Sequence, residues 1–270
     1  MPSPAPLPTC NSLWVGSALG PLERACLRSF LSVGHPVRLW TYGPVDGVPE
    51  GVEVCAADDV VPAAAMAPYR AAGAFTIVAN RFRYALQRAS LGLWVDCDVL
   101  CLRPLPDTPS LFGWQDERRL NNAVLRLPAD HAIVGDLLAM FESPRFVPPW
   151  ARWRHRVRYA LGYRFRPGFG IANLRWGTTG PGAFTHYAEA RGLTGLAVPK
   201  EVLYPVGLRE ADALLDPRPG AVRRFLTPRS LCIHLWHRAL SEQTVPPPAG
   251  SFVRAVMDGT WRDALAEPRP

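Results

Sequence analysis

The stretch Leu91-Gly92-Leu93-Trp94-Val95-Asp96-Cys97-Asp98-Val99-Leu100-Cys101-Leu102 reads as a buried strand that ends in two acids. Leu93-Trp94-Val95 is an apolar run too short for a helix, as expected of a strand covered on both faces. Before it, Ala74 to Ser90 is predicted helical, with Phe75, Val78, Phe82, Leu86 and Ala89 in one stripe and Gly92 as the break. Val99 to Leu102 is read as continuing the extended run toward Arg103-Pro104.

Further upstream, Leu13-Trp14-Val15 reads as a first strand. Pro21 to Val33 reads as a helix opened by proline and closed by Gly34. Pro36 to Tyr42 reads as a second strand and Val52 to Cys55 as a short third strand or edge piece. A strand–helix–strand opening points to an α/β fold with parallel strands. Downstream, Ala123 to Leu127 is expected as a strand, and Asp130 to Phe141 as a helix capped by Asp130. Phe184 to Ala190 is expected as a helix, and Leu231 to Trp236 as a strand. One α/β domain over 13–240 is expected, after a flexible proline-rich arm (1–12) and before a proline-rich tail with a short helix (241–270).

In extended chain, residues i and i+2 point the same way, so Asp96 and Asp98 are expected to converge beyond the strand end. Open α/β sheets bind ligands there. Two adjacent carboxylates repel unless a cation lies between them, and Mg²⁺ or Mn²⁺ with phosphate oxygens completes such a site. An acidic turn would look the same, but acids flanked by apolar runs are costly to bury without a partner.

Composition limits the partners. The chain has 270 residues, 48% hydrophobic and 20% charged, with formal net charge +7. Lys200 is the only lysine, so the positive charge is arginine, which suits phosphate. The densest stretch, Arg152 to Arg166, interleaves arginine with Trp150, Trp153, Tyr159 and Tyr163. It reads as a solvated helix packed by its aromatic face, with an anionic acceptor or membrane surface as the functional reading. No nucleic-acid motif accompanies it, so no nucleic-acid partner is expected. Cys10, Cys26, Cys55, Cys97, Cys101 and Cys232 form no Cys-x-x-Cys pair and read as buried thiols of a reducing compartment. Met1 to Pro8 does not resemble a signal peptide, and no apolar run reaches membrane-spanning length. The expectation is a cytoplasmic protein, with peripheral contact at the inner face of the membrane.

With these segments in order, the chain resembles the DXD-type glycosyltransferases of family 32, the α-1,4-galactosyltransferase and capsular-polysaccharide group. The resemblance rests on Asn80 to Leu86, Leu91 to Leu105, Trp14-Val15-Gly16, Asn121-Asn122-Ala123, Gly180-Pro181-Gly182 and Ile233-His234-Leu235-Trp236. It implies a GT-A-like fold, with a Rossmann-related central mixed sheet flanked by helices. It implies a retaining, metal-dependent hexosyltransferase that takes its sugar from a nucleotide-sugar donor, a UDP-sugar favoured, and delivers it to a glycan or lipid-linked acceptor.

Carried over residue by residue, Asp96, Asp98 and His234 would hold Mn²⁺ or Mg²⁺, with His237 as the alternative to His234. Arg83 would contact donor phosphate or hold the acidic pair. Asn121 and Asn122 would face the sugar, Asn122 as a catalytic residue. Gly180, Pro181 and Gly182 would line the donor or acceptor cleft, although a tight turn explains them equally. Asn80-Arg81 stands where the family has Ser-Asp, and Leu91 replaces the first glycine of Gly-Gly. Asp116 and Glu117 are candidate nucleophiles.

Two other classes share the triplet. A haloacid-dehalogenase-type phosphohydrolase uses Asp-x-Asp after an apolar strand, but it needs a later lysine and a second acidic motif that Gly135-Asp136 does not complete. A non-catalytic carbohydrate-binding protein could keep the scaffold.

Overall fold

The computed structural model describes residues 6–237, 240 and 246–266. Its centre is a six-stranded mixed sheet in the order β3-β2-β1-β4-β7-β6. The strands are β1 (Cys10–Trp14), β2 (Val37–Thr41), β3 (Val52–Ala56), β4 (Leu93–Val95), β6 (Leu111–Asp116) and β7 (Arg119–Arg126). β1 to β4 are parallel, and β7 and β6 add an antiparallel hairpin beside β4. A separate antiparallel ribbon joins β5 (Val99–Cys101) to β8 (Cys232–His234).

Side-chain alternation along the strands builds two cores. Leu39, Leu93 and Val95 pack with Leu27 and Phe30 of α1 (Pro21–Ser32). Trp40 and Trp94 point to the opposite face, against Phe82 of α3 (Phe75–Arg88). That second face also carries α2 (Ala63–Ala71), α4 (Ala132–Glu142), α5 (Trp153–Phe165) and α6 (Ala183–Ala190). α7 (Lys200–Leu203) leads back toward β8. The C-terminal helices α8 (Phe252–Met257) and α9 (Trp261–Leu265) pack with the ribbon and α1 in a third cluster. No helix among the described residues is long and apolar enough to cross a membrane.

Several boundaries differ from expectation for identifiable reasons. β1 begins at Cys10, so residues 10–12 belong to the sheet and not to a flexible arm. Asn11 and Ser12 are fully buried but satisfied. Asn11 donates to the Leu91 and Leu93 carbonyls and accepts from Trp40 Nε1, while the Ser12 hydroxyl donates to the Val95 carbonyl. This polar pair clamps β1 to the end of β4, and it interrupts the apolar pattern that marks a strand. α2 carries Pro68 and exposes most of its alanines, so it has little apolar periodicity. β6 was not anticipated from the sequence. The α4 cap is His131, whose ring accepts the Ile133 N–H, rather than Asp130. In the tail, 241–245 lie outside the described residues, and two helices, α8 and α9, rather than one short helix pack there against the core.

Candidate active site

β4 ends at Val95, and the Asp96 N–H still bonds the Ala123 carbonyl of β7 at 2.8 Å. The chain then turns, with the Val99 N–H closing back on the Asp96 carbonyl at 3.0 Å. Asp96-Cys97-Asp98 therefore forms a turn between two different sheets and does not continue an extended strand. The i, i+2 alternation expected from sequence is not what brings the acids together. The turn is, helped by the pairing of Val99 with His234 in the ribbon.

That pairing sets His234 beside Asp98. Its Nε2 lies 3.2 Å from Asp98 Oδ1, and the Leu235 N–H bonds the Asp98 carbonyl. Asp98 Oδ2 accepts the backbone N–H of His237 at 3.0 Å. The imidazole of His237 instead turns to Glu23, a buried acid in the first turn of α1, at 2.8 Å. Among the described residues, Asp96, Asp98 and His234 each present a ligand atom, all within 4.8 Å of one another. The side chains of Asp96 and Asp98 keep 24% and 20% of their surface exposed, so the cluster faces an opening. His234 Nδ1 is buried with no hydrogen-bond partner among the described residues, and its ring lies on Trp236 at 3.9 Å.

Behind the acids stands a polar stripe that α3 buries at helical spacing: Asn80, Arg83, Tyr84 and Gln87. Arg83 is 3% exposed. Its Nη2 pairs with Asp96 Oδ1 at 2.9 Å, its Nη1 donates to the Asn122 carbonyl, and its guanidinium lies 4.8 Å over the Trp94 ring. Trp94 Nε1 donates to the same Asp96 oxygen at 2.7 Å. Asn122 Nδ2 donates to Tyr84 Oη at 2.8 Å and to Asn80 Oδ1 at 3.2 Å. Asn80 in turn donates to Thr179 Oγ1, and the Tyr84 hydroxyl donates to the Thr179 carbonyl.

The two acids are driven apart in acidity. Burial raises Asp96, and although the Arg83 charge opposes this, the charge of Asp98 adds to the rise. Asp98 is lowered to about 2. Burial pushes it up, but the charge and hydrogen bond of His234 and the His237 N–H together outweigh that. Hydrogen bonding to Glu23 raises His237.

The expected residues thus sort by what they touch. Asp96, Asp98 and His234 converge, and Arg83 holds Asp96. Asn122 lies within β7, not at a strand mouth; it is 3% exposed and serves the Arg83 side of the network. Asn121 is also in β7, where its amide is taken up by Gln115 and by the Ala123 N–H. Gly180, Pro181 and Gly182 belong to a wide, kinked turn over Thr178–Gly182, closed by the Gly182 N–H on the Gly177 carbonyl at 2.9 Å. A Cβ at Gly180 would stand 3.0 Å from Asn80 Nδ2, so the turn packs on the network. The Pro181 carbonyl accepts the Thr185 hydroxyl, and Gly182 abuts Trp150. Asp116 accepts the Arg118 N–H at the β6–β7 turn, and Glu117 is exposed there. Tyr84, Trp94, Thr179 and Glu23 join the site without having been singled out. The repeat of polar residues at 80, 83, 84 and 87 was the available signal for one of them.

No protein-family model matches the chain, and no curated protein sequence is similar to it. Among solved structures it is similar to the PaToxG glycosyltransferase, with 11% identity and a TM-score of 0.41 over 97% of this chain and 88% of that one.

Proposed function

We propose that the chain is a metal-assisted glycosyltransferase of GT-A-like architecture. It would move a hexosyl group from a nucleotide-diphosphate sugar, a UDP-sugar favoured, to a glycan or lipid-linked acceptor with retention of configuration. The observation that carries the reading is the convergence of Asp96, Asp98 and His234 at the open end of a sheet. Two carboxylates and one imidazole nitrogen suit Mn²⁺, and Mg²⁺ less well because of the nitrogen. When bound, such an ion supplies Lewis-acid stabilisation to a departing diphosphate.

The chain's own groups hold and orient. Arg83 and Trp94 fix the Asp96 carboxylate, which leaves one edge of it toward the opening. Asp98 is kept ionised by His234 and the His237 N–H, so it is available as an anion at neutral pH. Asn122, whose carbonyl accepts from Arg83 and whose amide is fixed by Tyr84 and Asn80, would hold Arg83 in place, a positioning role.

The phosphohydrolase reading is disfavoured because it needs a lysine free to serve the reacting phosphate. Lys200 is paired with Glu210 at 2.9 Å. Calorimetric titration with a panel of UDP- and GDP-sugars, with and without Mn²⁺, tests the proposal, together with donor turnover in excess EDTA. Mn²⁺-dependent donor binding that Asp98→Asn abolishes is expected. Turnover undiminished by EDTA would sink the metal role, and binding without turnover would favour a carbohydrate-binding protein.

A further inference from the structure

Helix α5 is anchored by one face only. Tyr159 and Gly162 are buried. Tyr163 meets Phe169 edge-on at 4.9 Å and donates its hydroxyl to the Phe146 carbonyl. Gly162 lets that aromatic come close, since a Cβ there would stand 2.7 Å from the Phe169 ring. The outward face should then be polar, as expected of a solvated helix packed by its aromatics. It is not. Trp153, Val157, Leu161 and Phe165, spaced by four, are 69%, 49%, 52% and 68% exposed. Trp176, in the loop beyond the helix, is 53% exposed. A helix gains nothing from presenting these groups to water.

Charge surrounds the stripe and has one sign. From Ser143 to Ala188 the chain contains arginine but no aspartate, glutamate or lysine. Arg152, Arg154, Arg156, Arg158, Arg164 and Arg166 are exposed, and none is ion-paired among the described residues. Two guanidinium groups lie beside the bare rings, Arg154 at 5.6 Å from the Trp153 centroid and Arg164 at 5.2 Å from that of Phe165. Apolar tips fringed by cations fit a surface that is oily beneath and anionic on top.

We propose that α5 docks the protein on an anionic lipid bilayer, with Trp153, Val157, Leu161 and Phe165 entering the headgroup boundary and the arginines engaging lipid phosphates. A second copy of the chain fits less well, because it would set arginine against arginine. A nucleic acid would meet the arginines and its bases could stack on Trp153 and Phe165, but it would leave the aliphatic Val157 and Leu161 without a partner. The helix is tied to the candidate site through Trp150, which packs on His186 and Tyr187 of α6 and abuts Gly182 of the turn beside Asn80. Docking through α5 would therefore hold that turn near the lipid surface, where a lipid-linked acceptor is presented.

Flotation of the full chain with phosphatidylcholine vesicles, with and without phosphatidylglycerol, tests the proposal. The chain should float with the anionic vesicles, and less so as salt rises. The variant W153S/V157S/L161S/F165S changes only exposed positions and should lose binding by about a hundredfold or more. The variant R154Q/R158Q/R164Q should lose about fivefold per arginine, from ~1 kcal/mol for each basic residue near an anionic surface. Both should keep the wild-type circular dichroism spectrum. No flotation of the wild type, or a stripe variant that floats as well as the wild type, would overturn the proposal. So would a concentration-dependent dimer that the stripe variant abolishes in the absence of lipid binding. Flotation needs no nucleotide sugar, so its failure leaves the transferase reading standing, and the reverse also holds.

Discussion

Replacing Arg83 by methionine isolates the interaction on which the acidic turn rests. The guanidinium is 3% exposed and pairs at 2.9 Å with a carboxylate that keeps about a quarter of its surface. Removing one partner of a buried pair costs ~3–5 kcal/mol, because the other charge is left uncompensated. The quarter exposure of Asp96 lowers this, while the Asn122 carbonyl left without its donor adds ~1–3 kcal/mol. The two contributions overlap, since one side chain makes both contacts, and the net loss should be about 3–4 kcal/mol. That is a large share of the ~5–15 kcal/mol that holds a domain together, and it lowers Tm by roughly 6–12 °C. Urea unfolding followed by circular dichroism in EDTA measures the loss free of any bound ion. A cycle with Asp96→Asn should return a coupling of roughly 2 kcal/mol or more. A loss under about 1 kcal/mol, or additive single variants, would mean that Asp96 is solvated well enough not to need Arg83. Arg83 would then not be what holds the acidic turn.

Two other perturbations test the frame around the site. The His35 ring is 2% exposed, with Nδ1 at 2.8 Å from the Pro8 carbonyl and Nε2 accepting the Leu105 N–H, so burial lowers its pKa from 6.5 and keeps it neutral in the fold. The unfolded chain then binds the proton more readily, so this stability is complete above about pH 6.5 and is lost as pH falls toward the folded value; His35→Leu should cost ~1–3 kcal/mol at pH 8 and flatten that acid limb in melts run from pH 8 to 5. Gly92 has φ +113°, and a Cβ there would stand 2.8 Å from the Thr9 carbonyl; Gly92→Ala should cost ~2 kcal/mol or more in urea titrations, and a neutral result would show that the β1–β4 junction is looser than described.

What could be read from sequence depended on how each element earns its place. Strands buried on both faces, such as Leu93-Trp94-Val95, announce themselves as apolar runs. α1 and α3 announce themselves by stripe and by their glycine and proline ends. The acidic pair and His234 were visible as residues but not as a geometry, because the turn at 96–98 and the ribbon partner of β5 depend on chain more than a hundred positions away. Asn11-Ser12 hid the start of β1, since hydrogen bonds rather than apolar contact make those two residues comfortable inside. The inward polar face of α3 was concealed by the same effect, as any helix surface with Asn, Arg and Gln reads as solvated. For α5 the misreading ran the other way, because the aromatic groups that looked like packing are in part those left outside.

The β5–β8 ribbon has a consequence for the order of assembly. The bond from the His237 N–H to Asp98 spans 139 positions, and closing a flexible loop of that length costs ~4 kcal/mol before anything is gained. All six strands of the central sheet end by Arg126, so they are synthesised while His234 has yet to be made. The three candidate ligands come together only when the C-terminal segment, with α8 and α9 packed on α1, closes over the earlier layers. Activity would then be the last property acquired during synthesis and the first lost when that segment detaches. A protease that trims the chain ahead of Cys232 would remove His234 from the cluster and leave β5 without its partner strand.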